Sequence, residues 1–169
     1  NLKSIVVIVK NKLHEDVFAW EIEVDDLNID VENLDYKLQD GKIFKKITSR
    51  FENHDQNLKN KILSKLDIDY IKKQIPEYKE ISIHIFKDVP GFKLWPHLDK
   101  KDHKGFIVIN LIDNKNSTEF LDFDEKFLAK SSNKKNKGVF HILWKKPYCL
   151  HAIENTSNKN RYTTIAFIK

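Results

Sequence analysis

The chain has 169 residues and a mass of 20.0 kDa; 40% of the residues are hydrophobic, 33% charged and 11% aromatic, with 4 Gly and 4 Pro. These values exclude a collagen-like, low-complexity or largely disordered chain and predict one globular domain over residues 1–169, large enough for a real core. The net charge is +5, yet 28 of the 30 basic residues are Lys and only Arg50 and Arg161 are Arg, which argues against a protein that reads phosphates or bases through guanidinium forks.

Residues 1–78 read as a buttress of strands and helices. Ile5–Val9 is an apolar β-branched run, and Phe18, Trp20, Ile22 and Val24 alternate with Ala19, Glu21 and Glu23. The pair predicts a hairpin turning at Asn11-Lys12. Asp30 is expected to cap a short helix carrying Val31, Leu34 and Leu38 that ends near Gly41, with Ile43, Phe44, Ile47 and Phe51 continuing at helical spacing. One longer helix is predicted from about Asp55, with Leu58, Ile62, Leu66, Tyr70 and Ile71 on one stripe, stopping before Pro76.

Residues 79–169 change to short strands. The expected set is Ile81–Phe86, Phe92–His97, Phe106–Ile112, Thr118–Phe123, Glu125–Lys130, Val139–Trp144, Cys149–Ile153 and Tyr162–Ile168. Turn signals such as Asp88-Val89-Pro90-Gly91 and Lys146-Pro147 lie between them. Eight strands at this spacing predict a sandwich or barrel, a jelly roll among the options. No run approaches the length of a membrane span, and no signal-peptide order opens the chain. A chain that begins at Asn1 and holds no Met is expected to have lost its natural start. The lone Cys149 cannot form an internal disulfide, which fits a reducing cytoplasm.

The seven histidines carry the chemistry. His97-Leu98-Asp99 is an H-x-D pair; on an extended segment its imidazole and carboxylate share a face and can converge on one ion. Chance alone supplies about 0.6 such pairs in this composition, and His14-Glu15-Asp16 is a second one. Context separates the two. His97 is followed 54 residues later by His151 in an expected strand, and Arg161 comes ten residues after that, opening the last strand two residues before Thr163. Two His nitrogens and one carboxylate on one face of an ion leave positions open, as in non-haem Fe(II) sites.

His97-x-Asp99, His151, Arg161 and Thr163 together resemble the signature of Fe(II)/2-oxoglutarate-dependent dioxygenases, over residues 80–169. The local wording is similar to the small prolyl-4-hydroxylase-like branch. Pro90-Gly91 precedes the H-x-D pair, Ser117-Thr118-Glu119-Phe120 resembles that branch's Gly-Gly-x-Thr-x-Phe segment, and Lys137-Gly138-Val139-Phe140 its Lys-Gly strand. Asn116-Ser117 stand where the branch has two glycines, and its Tyr ahead of Pro-Gly is missing, with Phe86 the nearest aromatic.

The resemblance implies a mainly β fold with N-terminal helices: a double-stranded β-helix (jelly roll), the helices buttressing one sheet. It implies Fe(II) held by His97, Asp99 and His151, with 2-oxoglutarate as cosubstrate and O2 as oxidant. Arg161 would meet the far carboxylate of 2-oxoglutarate and Thr163 would add a donor. Asn110, a polar interruption of an apolar strand, either contacts the cosubstrate or is held by backbone partners of its own. The implied activity is hydroxylation of a C–H bond in an amino-acid, peptide or small-molecule substrate, with release of succinate and CO2. Nucleic-acid demethylases of this kind carry Arg-x-Asn-x-Thr-x-Arg, where this chain reads Arg161-x-Thr163-x-Ile165-x-Phe167. The competing class is a non-catalytic cupin-like metal- or ligand-binding module. Of the remaining candidates, His84 reads as a core or cavity-lining residue, His103 as a solvated loop residue, and His141 and Cys149 as packed. Trp95 and Trp144 read either as pocket wall or as core.

Overall fold

The computed structural model describes residues 7–39 and 50–169. Strands β1 (Val7–His14) and β2 (Val17–Val24) form the expected hairpin, but it turns at Glu15-Asp16, four residues later than predicted. β1 is the edge of its sheet, where Lys10, Asn11 and Lys12 remain solvated, so polarity there does not force a turn. The turn is held instead by the Asp16 amide donating to His14 Nδ1 at 3.0 Å and by Lys12 Nζ donating to the Glu15 carbonyl at 2.9 Å. His14 thereby leaves the list of ligand candidates.

The helix expected after Asp30 reduces to a 3-10 turn, Val31–Asn33, and Asp30 binds the Asn33 side chain rather than a helical amide. Leu38 lies in β3 (Lys37–Leu38) and Phe51 in β4 (Arg50–Asn53), both extended. Gly41, Ile43, Phe44 and Ile47 fall outside the described residues, as do the first two residues of the Ile5–Val9 run. The long helix is two: α1 (Gln56–Ser64), capped by Asp55 accepting from the Leu58 amide, and α2 (Ile68–Gln74), capped by Asp67 accepting from the Tyr70 amide. Asp67 reads as a mid-helix residue by periodicity alone; its carboxylate begins a new helix instead.

All eight expected strands are present: β5 (Ile81–Asp88), β6 (Lys93–His97), β7 (Gly105–Asn110), β8 (Glu119–Leu121), β9 (Phe127–Lys130), β10 (Lys137–Ile142), β11 (Leu150–Glu154) and β12 (Arg161–Ile168). They form two antiparallel sheets, one in the order β1-β2-β10-β7-β12-β5-β4-β3, the other β6-β11-β8-β9. Apart from the β8–β9 hairpin within the small sheet, consecutive strands of the core pass between the two sheets, which is the winding of a double-stranded β-helix. The N-terminal strands extend both ends of the large sheet.

Alternation along the large sheet divides the core. Ile83, Ile85, Ile107, Ile109, Phe140 and Ile168 face outward under Ile62, Leu66, Ile71 and Ile75 of the helical segment, which buttresses this sheet as expected. Phe86, Phe106, Val108, Val139 and Ile165 face inward, toward Phe120 of the small sheet. Gly138 lets β10 approach β7: a Cβ there would lie 1.7 Å from the Val108 carbonyl oxygen. The Pro90-Gly91 turn needs Gly91 at φ +88°, in the region that favours glycine. No helix among the described residues is long and apolar enough to cross a membrane.

His141 is buried in the inner core, its Nδ1–H donating to the Phe18 carbonyl at 2.9 Å. Burial, aided by nearby His151, pushes its pKa down to about 3 from the ordinary 6.5. Between those values the unfolded chain binds the proton and the folded chain does not. Stability therefore falls as pH drops through this window, by about 1.4 kcal/mol per pH unit from this group. Chemical denaturation from pH 7 to 4 is expected to show a shallower acid slope for His141→Gln than for the wild type; equal slopes would contradict a neutral His141.

Candidate metal centre and anion pocket

Strand pairing sets the first half of the site. β6 and β11 lie antiparallel with His97 directly opposite His151, so both imidazoles enter the space between the sheets from one level. Asp99 follows two residues after the end of β6. Its Oδ1 lies 3.1 Å from His151 Nε2 and 3.4 Å from His97 Nε2, and one ligating atom from each of the three residues falls within 4.8 Å of the others. Donors held ~2.1 Å from one ion at right angles lie ~3 Å apart, so this spacing suits a single transition-metal ion.

The proton inventory supports the same reading. The Trp95 carbonyl lies 2.6 Å from His97 Nδ1 and can only accept, so Nδ1 carries the hydrogen. Nε2 then faces the Asp99 carboxylate, and the two are reconciled either by a second proton on the ring or by a metal cation between them. Burial disfavours charge on His97, but hydrogen bonds to Asp99 and the Trp95 carbonyl outweigh it and raise its pKa. Burial likewise opposes the Asp99 charge, and the hydrogen bonds from His151 and His97 overcome it, holding Asp99 well below the usual carboxylate range. For His151 burial dominates and lowers the pKa, leaving a neutral ring suited to ligation.

The second half is a row across three neighbouring strands. Asp88 at the end of β5 stands opposite Arg161 of β12 on one side and opposite Arg50 of β4 on the other. Arg50 Nε and Nη2 donate to Asp88 Oδ1 and Oδ2 at 2.7 and 3.0 Å, and Arg161 Nη1 donates to Oδ2 at 2.9 Å. All three are buried, and the Arg50 guanidinium lies over the rings of Phe86 and Phe92. Two guanidiniums share one carboxylate, so a single positive charge is left over inside the protein. Arg50, Arg161, His97, Asp99 and His151 line one cavity of about 70 Å³.

Arg161 thus lines the pocket that holds the H-x-D pair, and it is already engaged by Asp88. Thr163 shares the inner face of β12 with Arg161; it is fully buried and its Oγ1 has no hydrogen-bond partner among the described residues. Arg50 and Asp88 were not anticipated. Their signal was available: Asp88 occupies the stretch ahead of Pro90-Gly91 where the expected Tyr is missing, and Arg50 is the chain's other arginine.

Asn110 is not a pocket group. Its Nδ2 donates to the Ser132 and Lys137 carbonyls, both at 2.8 Å, and its Oδ1 accepts from Asn114, so its hydrogen-bonding capacity is spent on the turns at the far end of β7. Asn110 is thus held by backbone and side-chain partners of its own and does not line the cavity of His97, Asp99 and His151. His84 sits between Glu52 Oε1 at 2.5 Å and Ser82 Oγ at 3.0 Å, away from the metal cluster. Cys149 packs in the inner core. Trp95 is not core: it is 65% exposed and lines an open groove of about 380 Å³ next to the cavity. Trp144 ties the loop after β6 through Nε1 donating to the Lys100 carbonyl at 3.3 Å. His103, expected to be solvated, is turned inward toward Asp99.

No protein-family model and no curated protein matches the sequence. Solved structures do. An oxidoreductase of the 2-oxoglutarate-Fe(II) oxygenase family from Burkholderia pseudomallei aligns at TM-score 0.58 and 10% identity, over 82% of this chain and 73% of that one. A Pseudomonas putida prolyl-4-hydroxylase aligns at TM-score 0.54 and 14% identity, over 74% of each chain. The viral collagen prolyl hydroxylase of Paramecium bursaria Chlorella virus-1, in its 2-oxoglutarate complex, aligns at TM-score 0.52 and 14% identity, over 89% of this chain and 94% of that one. At these identities the likeness is one of architecture: the chain has the double-stranded β-helix fold of the 2-oxoglutarate/Fe(II) oxygenases.

Proposed function

We propose that the protein is an Fe(II)- and 2-oxoglutarate-dependent oxygenase that hydroxylates a C–H bond of an amino-acid, peptide or small-molecule substrate, releasing succinate and CO2. The observation that carries this reading is the pairing, in one cavity, of a His97–Asp99–His151 cluster with two arginines that share a single carboxylate. A dication beside Asp99 keeps one positive charge, and the arginine row keeps another. A dicarboxylate with one acidic group at each end neutralises both. The unpartnered Thr163 hydroxyl supplies a further donor beside Arg161.

Iron bound at this cluster would supply a Lewis-acid centre and, with dioxygen, the oxidising power for attack on a C–H bond. The protein's own groups position and shield. His97 and His151 offer ring nitrogens, the former oriented by the Trp95 carbonyl, and Asp99 offers Oδ1. Arg161, held by Asp88 through Nη1 and by the Asn116 carbonyl through Nε, would meet the far carboxylate of the cosubstrate with the N–H groups left over, chiefly at Nη2. Phe106, Val108 and Ile165 wall the cavity and limit water around the reacting groups. The open groove shares Leu94, Ala152 and Ile153 with this cavity, and exposed Trp95 gives it an apolar border, which favours a small molecule or an extended peptide as substrate. A cupin-like metal-binding module would have no use for the buried surplus charge at Arg50 and Arg161.

Purified protein supplied with Fe(II), 2-oxoglutarate and air is expected to release succinate above the metal-free background. The rate should rise when the right member of a panel of amino acids and proline-rich peptides is added. Succinate formation indifferent to Fe(II) across the whole panel would overturn the proposal.

A further inference from the structure

The metal cluster has a further neighbour, His103. Asp99 turns Oδ1 toward the two ligand histidines and Oδ2 the other way, where it lies 3.7 Å from His103 Nδ1. Both atoms are buried, and neither has a hydrogen-bond partner among the described residues. Two orphaned polar atoms of opposite character that face one another across less than an ångström of excess distance mark a hydrogen bond left open.

The position of His103 is built. Its amide donates to the Lys100 carbonyl at 3.0 Å, closing a turn. The next amide, of Lys104, donates to the Ile168 carbonyl at 2.7 Å, and the Lys104 carbonyl accepts from Leu143 at 2.9 Å. The loop after β6 is therefore fastened to the ends of β12 and β10, and the His103 ring rests against Phe167 at 5.0 Å between centroids. A solvated loop histidine would need none of these restraints.

We infer that His103 is a positioning residue: its Nδ1–H donates to Asp99 Oδ2 when an ion draws Oδ1 toward His97 and His151, and it thereby keeps Asp99 bound through one oxygen. This rests on the reading of His97, Asp99 and His151 as a metal site. A carboxylate held at its outer oxygen cannot swing to grip the ion with both, so positions opposite the protein ligands stay free for small molecules.

The test uses Co(II) as the probe, titrated into the full chain and followed by its visible absorption. His103→Phe keeps the ring against Phe167 and removes the donor; His103→Asn keeps a donor at the place of Nδ1. Wild-type protein is expected to bind Co(II). His103→Phe should bind it about 10- to 100-fold more weakly with a changed spectrum, and His103→Asn should recover most of both. Equal affinity and an unchanged spectrum in His103→Phe would overturn the inference alone, as would a His103→Asn variant as impaired as the phenylalanine one. Wild-type protein that binds no Co(II) would overturn the metal site and the inference with it. If His103→Phe does not fold, His103→Ala is read in its place against the same two outcomes.

Discussion

Replacing His151 with alanine is expected to weaken Fe(II) binding by on the order of 1000-fold or more while the β-helix persists. Loss of a supporting hydrogen bond around a metal ligand already costs about 10- to 100-fold, and His151 is a ligand candidate in its own right. The ring sits opposite His97 in the strand register, so no other side chain of the small sheet can take its place without shifting β11 against β6. Folding and binding are separable by linkage. An ion present at 100 times its dissociation constant stabilises the folded wild type by about 2.7 kcal/mol. Thermal unfolding should thus rise with added Fe(II) under anaerobic conditions in the wild type and stay flat in His151→Ala and His97→Ala. A rise that persists in both variants would move the metal elsewhere.

Arg161→Ala is expected to weaken 2-oxoglutarate binding by about 100-fold or more and to leave Fe(II) affinity within a few-fold. Truncating one partner of a buried, hydrogen-bonded charge pair costs about 2–5 kcal/mol, much of it from the charge left behind. Here the consequence is also one of sign. Without Arg161, Asp88 and Arg50 neutralise each other and the cavity no longer carries a surplus positive charge to attract an anion. Arg161→Lys keeps the charge but loses the planar fork, so its affinity should lie between the two. Equal losses of iron and 2-oxoglutarate in Arg161→Ala would mean that the residue only holds the fold. An unchanged 2-oxoglutarate affinity would mean that the Arg161–Asp88 pair is closed to ligands.

Much of this was legible in the residues, for physical reasons. Short β-branched and aromatic runs punctuated by Pro, Gly and Asn gave all eight core strands, because all but the half-buried β6 carry buried residues and each is bounded by a turn. His97, Asp99, His151 and Arg161 were found by joint spacing, which survives where each motif alone is common. What was missed depends on partners distant in sequence. Val7–His14 continues past Lys10 and Lys12 because an edge strand tolerates solvated residues, which periodicity reads as a turn. Asp67 divides one helical stripe into two helices through a single cap. Arg50 lies 38 residues from Asp88 and His103 lies in a charged loop. The role of each appears only when the sheet register and the loop anchors bring it against a carboxylate.

The most direct measurement is an anaerobic titration of 2-oxoglutarate into the Fe(II)-loaded protein, followed by visible absorption. A weak charge-transfer band that saturates with one equivalent of 2-oxoglutarate, and is lost in His97→Ala and His151→Ala, is the predicted result. No band in the wild type, or a band that survives both substitutions, would contradict a shared iron and keto-acid site.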